Sequence, residues 1–208
     1  MCFSATASFV ASAALIATGS VTLKKAKKRD RALAALPILF GIQQFIDGIA
    51  WISIGTPLLN GLAAYGFALF AYALWPVYIP FAVLRTEKDA EHRRVMRILL
   101  GVGALVSIFA LTNMLSGPVS AHIEQSCIQY DLPLAYPLSV LWLYLLATCG
   151  SLIISSQRFI RLFGILVLVS SAIAGWVYTE IFASVWCFFA AVLSGLLYLH
   201  FNTRPRRS

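Results

Sequence analysis

Charged residues are scarce in this chain. Asp, Glu, Lys and Arg make up 12% of its 208 residues, whereas 60% are hydrophobic. The mean hydropathy is +0.84. A soluble domain carries about 25% charged residues, so this composition excludes that class and predicts an all-α, multi-pass membrane protein. No linker or low-complexity stretch divides the chain, and residues 1–208 are predicted to form a single transmembrane domain.

Lysine and arginine are absent from most of the chain. No basic leader precedes the first apolar stretch, so a cleavable signal peptide is not predicted. The loop at 24–31 holds six basic residues, 85–97 holds five, 158–161 two and the tail three, which accounts for all 16. Because basic loops stay in the cytoplasm, the N-terminus is predicted outside the cell inner membrane and the C-terminus inside. This pattern follows membrane topology, and nucleic acid is not expected as a partner.

Seven apolar stretches predict a bundle of seven helices spanning the lipid bilayer. They lie at about 5–23, 32–54, 58–84, 98–115 and 132–154, with two more crossings between 162 and 200 joined by a turn near 175–180. Pro133 and Pro137 are expected in the first turns of the fifth span, where proline is tolerated. The segment 85–97 is expected to be a solvated helical extension, and 116–131 is the longest polar connection.

The second span carries the polar residues that matter most for function. Gln43, Gln44 and Asp47 lie three or four residues apart, so a helix places them on one face, with Trp51 one turn further. Asp47 is expected roughly 10 Å below the outer surface, from a rise of 1.5 Å per residue. An ionisable residue at membrane depth is a functional-site hypothesis by default. The alternative is a hydrogen-bonded clamp between helices.

The outer half is predicted to contain four acids, Asp47, Glu124, Asp131 and Glu180, and no lysine or arginine. Such acids must be protonated, solvated, hydrogen-bonded or matched by a cation. We therefore expect an outward-facing polar pocket for a small cationic or metal ligand, formed by Gln43, Gln44, Asp47, Trp51 and Glu180. Trp176, Tyr178 and Trp186 near Glu180 are also typical of an interfacial aromatic belt.

Two of the four cysteines are predicted on the outer side. Cys2 and Cys127 could form a disulfide, since an extracytoplasmic location permits one. Alternatively, Cys2, His122, Glu124 and Cys127 could bind a transition metal such as zinc or copper. No CxxC or HxxxH spacing supports the metal site. Cys149 and Cys187 lie within spans and are expected to pack as small apolar residues.

Two motifs resemble a known family. The start Met1-Cys2-Phe3-Ser4-Ala5, with Gly41-Ile42-Gln43-Gln44 and the Asp47-Gly48-x-x-Trp51 that follows, is similar to a family of small bacterial multi-pass membrane proteins. That family has no assigned function. Its second motif usually carries Glu where this chain has Asp47, a change that keeps the charge and shortens the side chain by one methylene. The resemblance directs attention to Cys2, Gln43, Gln44 and Asp47.

Several better-known classes are excluded. A retinal protein needs a lysine in its last span, and no lysine follows Lys88. A three-histidine zinc site on the outer side is impossible, because two of the three histidines, His92 and His200, lie on the cytoplasmic side. Three classes stay open: a binding or transport protein, a metal-assisted membrane enzyme, and an accessory or structural subunit. A homo-oligomer is open as well.

Overall fold

The computed structural model of the chain describes residues 4–124, 127–133, 136–177 and 182–203. They form a helical bundle with one β-hairpin. The helices are α1 (Ala5–Lys25), α2 (Arg31–Ala34), α3 (Leu36–Ile52), α4 (Pro57–Ala68), α5 (Trp75–Thr86), α6 (Ala90–Leu115), α7 (Leu138–Leu145), α8 (Ser151–Ile154), α9 (Arg158–Val177) and α10 (Phe182–Thr203). The strands are β1 (Ser120–Glu124) and β2 (Cys127–Asp131).

The prediction of long apolar helices is confirmed within the described residues. Six helical stretches of 19 to 30 residues are long and apolar enough to cross a membrane, and Leu138–Ile154 is a shorter apolar stretch. The turn is expected near 175–180, but helix α9 extends to Val177, and α10 begins at Phe182. Residues 178–181, with Glu180, are outside the described residues. Residues 90–97 open α6, as expected of a helical extension.

The predicted start of the fifth span at residue 132 is wrong. The helix begins at Leu138, and Pro137 is its N-cap in an extended conformation rather than part of its first turn. Residues 127–131, the end of the predicted polar connection, form β2. The longest connection is therefore an antiparallel hairpin in which Ser120 pairs with Asp131 and Glu124 with Cys127. The hairpin fits the period-two alternation of this segment, which a helix would not satisfy.

Among the described residues, two π-helical turns interrupt long helical stretches. Residues Leu69–Leu74 join α4 to α5, and Leu146–Gly150 join α7 to α8. In a π-helical turn, each carbonyl accepts from the N–H five residues later. For Ala71 that residue is Pro76, which has no N–H, so the Ala71 carbonyl is left without a backbone donor. The Tyr144 hydroxyl donates to that carbonyl at 2.7 Å. Proline in the sequence thus explains both the irregular turn and the cross-helix bond that satisfies it.

The end of the bundle opposite the hairpin carries the basic loops, and it is fastened by a buried carboxylate. Glu87 is 3% exposed. One of its oxygens accepts from the backbone N–H groups of Lys88 at 2.9 Å and Asp89 at 3.3 Å. The other accepts from the Ser155 hydroxyl at 3.2 Å and the Ser156 N–H at 2.9 Å. The Glu87 clamp, which we define by these five residues, joins the α5–α6 loop to the α8–α9 loop.

The Glu87 clamp should make stability depend on pH. Burial alone raises the pKa of Glu87, but the hydrogen bonds from Ser156, Lys88 and Asp89 outweigh it and lower the pKa below its usual value. The clamp therefore contributes fully above the unfolded-state pKa of about 4.3, and its contribution is lost as the pH falls through the lower folded-state pKa. Thermal unfolding of purified protein from pH 7 to pH 3 should show this loss.

A matched pair of variants isolates that effect. Glu87→Gln should lower the melting temperature at pH 7 and flatten its dependence on pH below about 4.5. Glu91→Gln, a change of the same kind at a solvent-exposed position on α6, should leave the profile unaltered. If the melting temperature of Glu87→Gln depends on pH as that of the parent does, the Glu87 clamp does not contribute to the pH dependence of stability.

Candidate functional site

The polar face of α3 points into the bundle. Gln43 and Asp47 are 0% exposed and Gln44 is 1% exposed. The side of α3 that faces α1 carries Gly41, Gln44 and Gly48. A Cβ at Gly41 would lie 3.1 Å from the Ser12 carbonyl oxygen of α1. Glycine therefore lets the two helices approach closely enough to enclose Gln44. The structure brings three of the five predicted pocket residues together in one buried cluster.

Asp47 receives hydrogen bonds from two other parts of the chain. Its Oδ2 accepts from the Ser8 hydroxyl of α1 at 2.9 Å, and its Oδ1 accepts from the Tyr130 hydroxyl of β2 at 2.8 Å. Burial raises the pKa of Tyr130 well above its usual value, and the charge on Asp47 raises it further. Tyr130 consequently stays protonated and acts as the donor. The carboxylate thus links α1, α3 and the hairpin.

Gln43 uses both ends of its amide. Its Oε1 accepts from the Trp75 indole N–H at 2.9 Å, and its Nε2 donates to the Cys187 sulfur at 3.3 Å. Trp75 begins α5 and Cys187 lies in α10, so this amide joins three helices. A satisfied interhelical amide of this kind is a structural bond, worth about 1 kcal/mol in membrane proteins. The clamp interpretation fits Gln43 well.

Gln44 differs from its neighbours. Both its Nε2 and its Oε1 are buried, and neither has a hydrogen-bond partner. Burying an amide without partners costs several kcal/mol in an apolar medium, because no water replaces the lost bonds. Buried polar groups in native proteins nearly always have partners, so an orphan amide needs an explanation. It lies one helical turn from Asp47, on the same face.

The hairpin covers this cluster and is fastened to several helices. Asn60 of α4 exchanges two bonds with Ala121, its Nδ2 donating to the carbonyl and its Oδ1 accepting from the N–H, both at 3.0 Å. The Ser184 hydroxyl of α10 donates to the Ile128 carbonyl at 2.5 Å. The Tyr130 ring stacks on Phe67 of α4, with centroids 3.9 Å apart and planes nearly parallel. Tyr130 is therefore held firmly above Asp47.

The predicted metal ligands are not assembled in the described part of the chain. His122 Nδ1 lies 2.8 Å from Asp131 Oδ2 on the exposed side of the hairpin. Cys127 is disulfide-bonded, while Cys149 and Cys187 are free. Cys2 lies outside the described residues, so its predicted pairing with Cys127 stays a prediction. Among residues 4–124, 127–133, 136–177 and 182–203, no group of three or more His, Cys, Asp and Glu side chains could hold a metal ion.

A small cavity lies beside Gln43, in the centre of the bundle. It has about 40 Å³ of free space. Its lining is mostly aromatic and aliphatic: Phe40, Trp75, Ile79, Tyr144, Thr148, Leu152, Phe163, Val167, Trp186, Cys187 and Ala190. Ligand pockets usually measure about 300–1,000 Å³, so this space is a packing gap rather than a second site. Trp186 lines it and is 7% exposed, which corrects its assignment to an interfacial belt.

The sequence analysis missed Tyr130, Ser8 and Trp75 as partners of the polar face. Ser8 follows Ser4 and precedes Ser12 at helical spacing, a signal that could have marked the side of α1 that meets α3. Tyr130 alternates with Gln129 and Asp131 in a strand-like pattern, but nothing local connects it to Asp47, 83 residues away. Trp51 is half-buried and packs against the hydrophobic core beneath the hairpin.

These features define a class: a bundle of long apolar helices that encloses a polar site and covers it with a hairpin. The chain belongs to a family of unknown function, DUF6629, whose model matches residues 1–208. No curated protein and no solved structure matches the chain. The expected membership of an uncharacterised family is therefore confirmed, and the function must be argued from the site.

Proposed function

We propose that this chain is a multi-pass protein of the cell inner membrane, with its N-terminus outside, and that it binds a small positively charged ligand at Asp47 and Gln44. The observation that carries the proposal is the buried Gln44 amide without hydrogen-bond partners, one turn from a buried carboxylate. A bound molecule would supply the missing bonds, and Asp47 would favour a positive charge on it.

The distribution of charge supports a cationic ligand. The sequence contains no lysine or arginine between residues 32 and 84, a range that includes α3, α4 and all of α5 before Arg85. The same is true between residues 98 and 157 and between 162 and 203. These three stretches therefore contribute no lysine or arginine side chain that would repel a ligand cation at Asp47.

Tyr130 suggests the route by which a ligand enters. It extends from the hairpin to Asp47, and its hydroxyl occupies one carboxylate oxygen. Because Asp47 and Gln44 are buried, a ligand must displace a group that covers them, and Tyr130 is the covering residue on the hairpin side. We infer that entry begins with the lifting of the hairpin.

A structural subunit is the second candidate, and the bonds of Asp47 to Ser8 and Tyr130 favour it. In that case the polar face of α3 only fastens α1 and the hairpin. The two functions make different demands on Asp47. A structural role needs only its hydrogen bonds, whereas a cation site needs its negative charge.

Replacing Asp47 by asparagine separates the two candidates. With purified protein in detergent, isobutylammonium, sodium and zinc ions are each titrated while thermal unfolding is followed. We expect at least one of these cations to raise the melting temperature of the parent by about 5 °C near saturation. Asp47→Asn should abolish that rise while changing stability itself by no more than about 1 kcal/mol, the usual size of an intramembrane hydrogen bond.

Asp131→Asn is the matched control. Its carboxylate also lies at the hairpin end of the bundle, but 43% of the side chain is exposed, and the response to cations should persist. If no cation stabilises the parent protein, or if Asp47→Asn responds as the parent does, the binding site is wrong and the structural subunit stands.

A further inference from the structure

Two arginines lie beside the Glu87 clamp, one on each of the helices that follow its two loops. Arg93 of α6 donates from its side chain to the Glu87 carbonyl at 3.3 Å. Arg161 of α9 donates in the same way to the Ser155 carbonyl at 3.4 Å. Within the described residues, no carboxylate lies in ion-pair distance of either guanidinium group. The clamp thus holds two guanidinium groups, each with further N–H donors for another partner.

The segments around the clamp present more positive than negative charge to solvent. Seven exposed side chains of segments 85–97 and 158–161 are basic: Arg85, Lys88, Arg93, Arg94, Arg97, Arg158 and Arg161. The same segments contain three acids. Glu87 is enclosed in the clamp, and the Asp89 carboxylate lies 2.6 Å from His92 Nδ1, so only Glu91 is exposed without a described partner. A negatively charged partner is therefore attracted to this surface.

Apolar side chains lie directly beside the basic ones. Ile98 follows Arg97 in α6 and is 61% exposed, and Leu162 follows Arg161 in α9 and is 56% exposed. Both helices continue from there as long apolar stretches. The short α8, which contacts both helices, ends at the exposed Ile154. A partner that satisfies the whole surface must combine a negative charge with long apolar chains.

We propose that the surface over the Glu87 clamp, between the starts of α6 and α9, binds an anionic phospholipid. The phosphate group binds Arg93 and Arg161, because a guanidinium group can bind a phosphate through two parallel N–H groups. The acyl chains lie along the exposed apolar sides of α6 and α9. A nucleic acid or a free phosphate ion would leave those sides uncovered. The proposal rests on the membrane placement proposed above and is independent of the cation site at Asp47.

Thermal unfolding of the purified protein in detergent tests the assignment, with phosphatidylglycerol, phosphatidylcholine or inorganic phosphate added. Phosphatidylglycerol carries one net negative charge, phosphatidylcholine has the same chains without net charge, and inorganic phosphate has no chains. We expect phosphatidylglycerol to raise the melting temperature by about 5 °C near saturation, and the other two to raise it by less than about 1 °C.

The double variant Arg93→Gln with Arg161→Gln should weaken the binding of phosphatidylglycerol at least about tenfold, since it removes charge-assisted hydrogen bonds to the phosphate. If that variant does not fold, Arg93→Lys with Arg161→Lys replaces it. This second pair keeps both charges, and it should still weaken binding measurably because lysine cannot donate two parallel N–H groups.

Lys27→Gln with Lys28→Gln is the matched control, since it removes two exposed charges from the other basic loop at the same end of the bundle. It should respond to phosphatidylglycerol as the parent does. An equal loss in this control, or equal stabilisation of the parent by phosphatidylglycerol and either other probe, would overturn the site. Asp47→Asn should keep the response to phosphatidylglycerol, so failure of the lipid site and failure of the cation site are separate results.

Discussion

Gly103→Ala is expected to destabilise the bundle by about 3 kcal/mol, an unusually large effect for one added methyl group. A Cβ at this position of α6 would lie 1.8 Å from the carbonyl oxygen of Pro76 and 2.6 Å from its carbonyl carbon. These are backbone atoms of α5, so no side-chain rotation relieves the overlap. One of the two helices would have to move.

The close contact has a cause in the sequence. Pro80 has no N–H, so the Pro76 carbonyl lacks the donor that a regular helix supplies four residues later. One turn along α6 from Gly103, the Ser107 hydroxyl donates to the Ala73 carbonyl at 2.6 Å. Helix α6 thus lies directly against the irregular turn at Leu69–Leu74 and the start of α5. A larger residue at 103 would push α6 away from them and stretch the Ser107 bond.

Gly101→Ala is the control, because nothing lies within 4 Å of a Cβ at that position of the same helix. Alanine is favoured over glycine in a helix by about 1 kcal/mol, so this variant should be as stable as the parent or more stable. Unfolding titrations with sodium dodecyl sulfate in mixed micelles measure both. A Gly103→Ala variant within about 0.5 kcal/mol of the parent would contradict the predicted overlap.

Asn60→Ala should release the hairpin from α4. The substitution leaves the N–H and the carbonyl of Ala121 without the bonds that Asn60 supplies, and both bonds are buried. Each buried group left unpaired costs about 1–3 kcal/mol, so we expect a loss of about 2–4 kcal/mol. Much of that loss should appear as local opening rather than global unfolding, since the helices do not depend on the hairpin for their own hydrogen bonds.

Hydrogen exchange measured by mass spectrometry distinguishes the two kinds of opening. In Asn60→Ala, peptides that contain β1 and β2 should exchange much faster, while peptides from α3 and α6 keep their protection. Ser120→Ala is the matched control: it removes an exposed bond to Asp131 at 3.3 Å, next to Ala121 in the sequence, and should leave exchange nearly unchanged. Unaltered hairpin protection in Asn60→Ala would show that other contacts hold the hairpin.

The long helices were predictable because their signal is summed over about 20 residues. The polar face of α3 was predictable for a similar reason, since Gln43, Gln44 and Asp47 share a helical period within one segment. Burial of all three fits the cost of placing such polar groups on the apolar outer surface of the bundle. What the sequence could not reveal is which of the three would find partners.

Contacts between distant segments have no such local signal. Tyr130 bonds Asp47 from a hairpin, and the length of the apolar stretches does not predict that hairpin. Trp75 bonds Gln43 from a position directly after an irregular turn. Glu87 is a second example, because it stands among charged residues in the sequence, yet Ser155 and Ser156 enclose it from a loop 68 residues later. Burial of one charge within a solvated segment depends on tertiary structure.

The π-helical turn at Leu69–Leu74 has a consequence for the phase of the long helix that contains it. Each residue of an α-helix advances the side chains by about 100°, so a turn that holds one additional residue rotates everything after it by about that angle. Residues before the turn, such as Phe67, face the hairpin, whereas Trp75 immediately after it faces Gln43. One continuous helix can thereby present its apolar side to two different neighbours at its two ends.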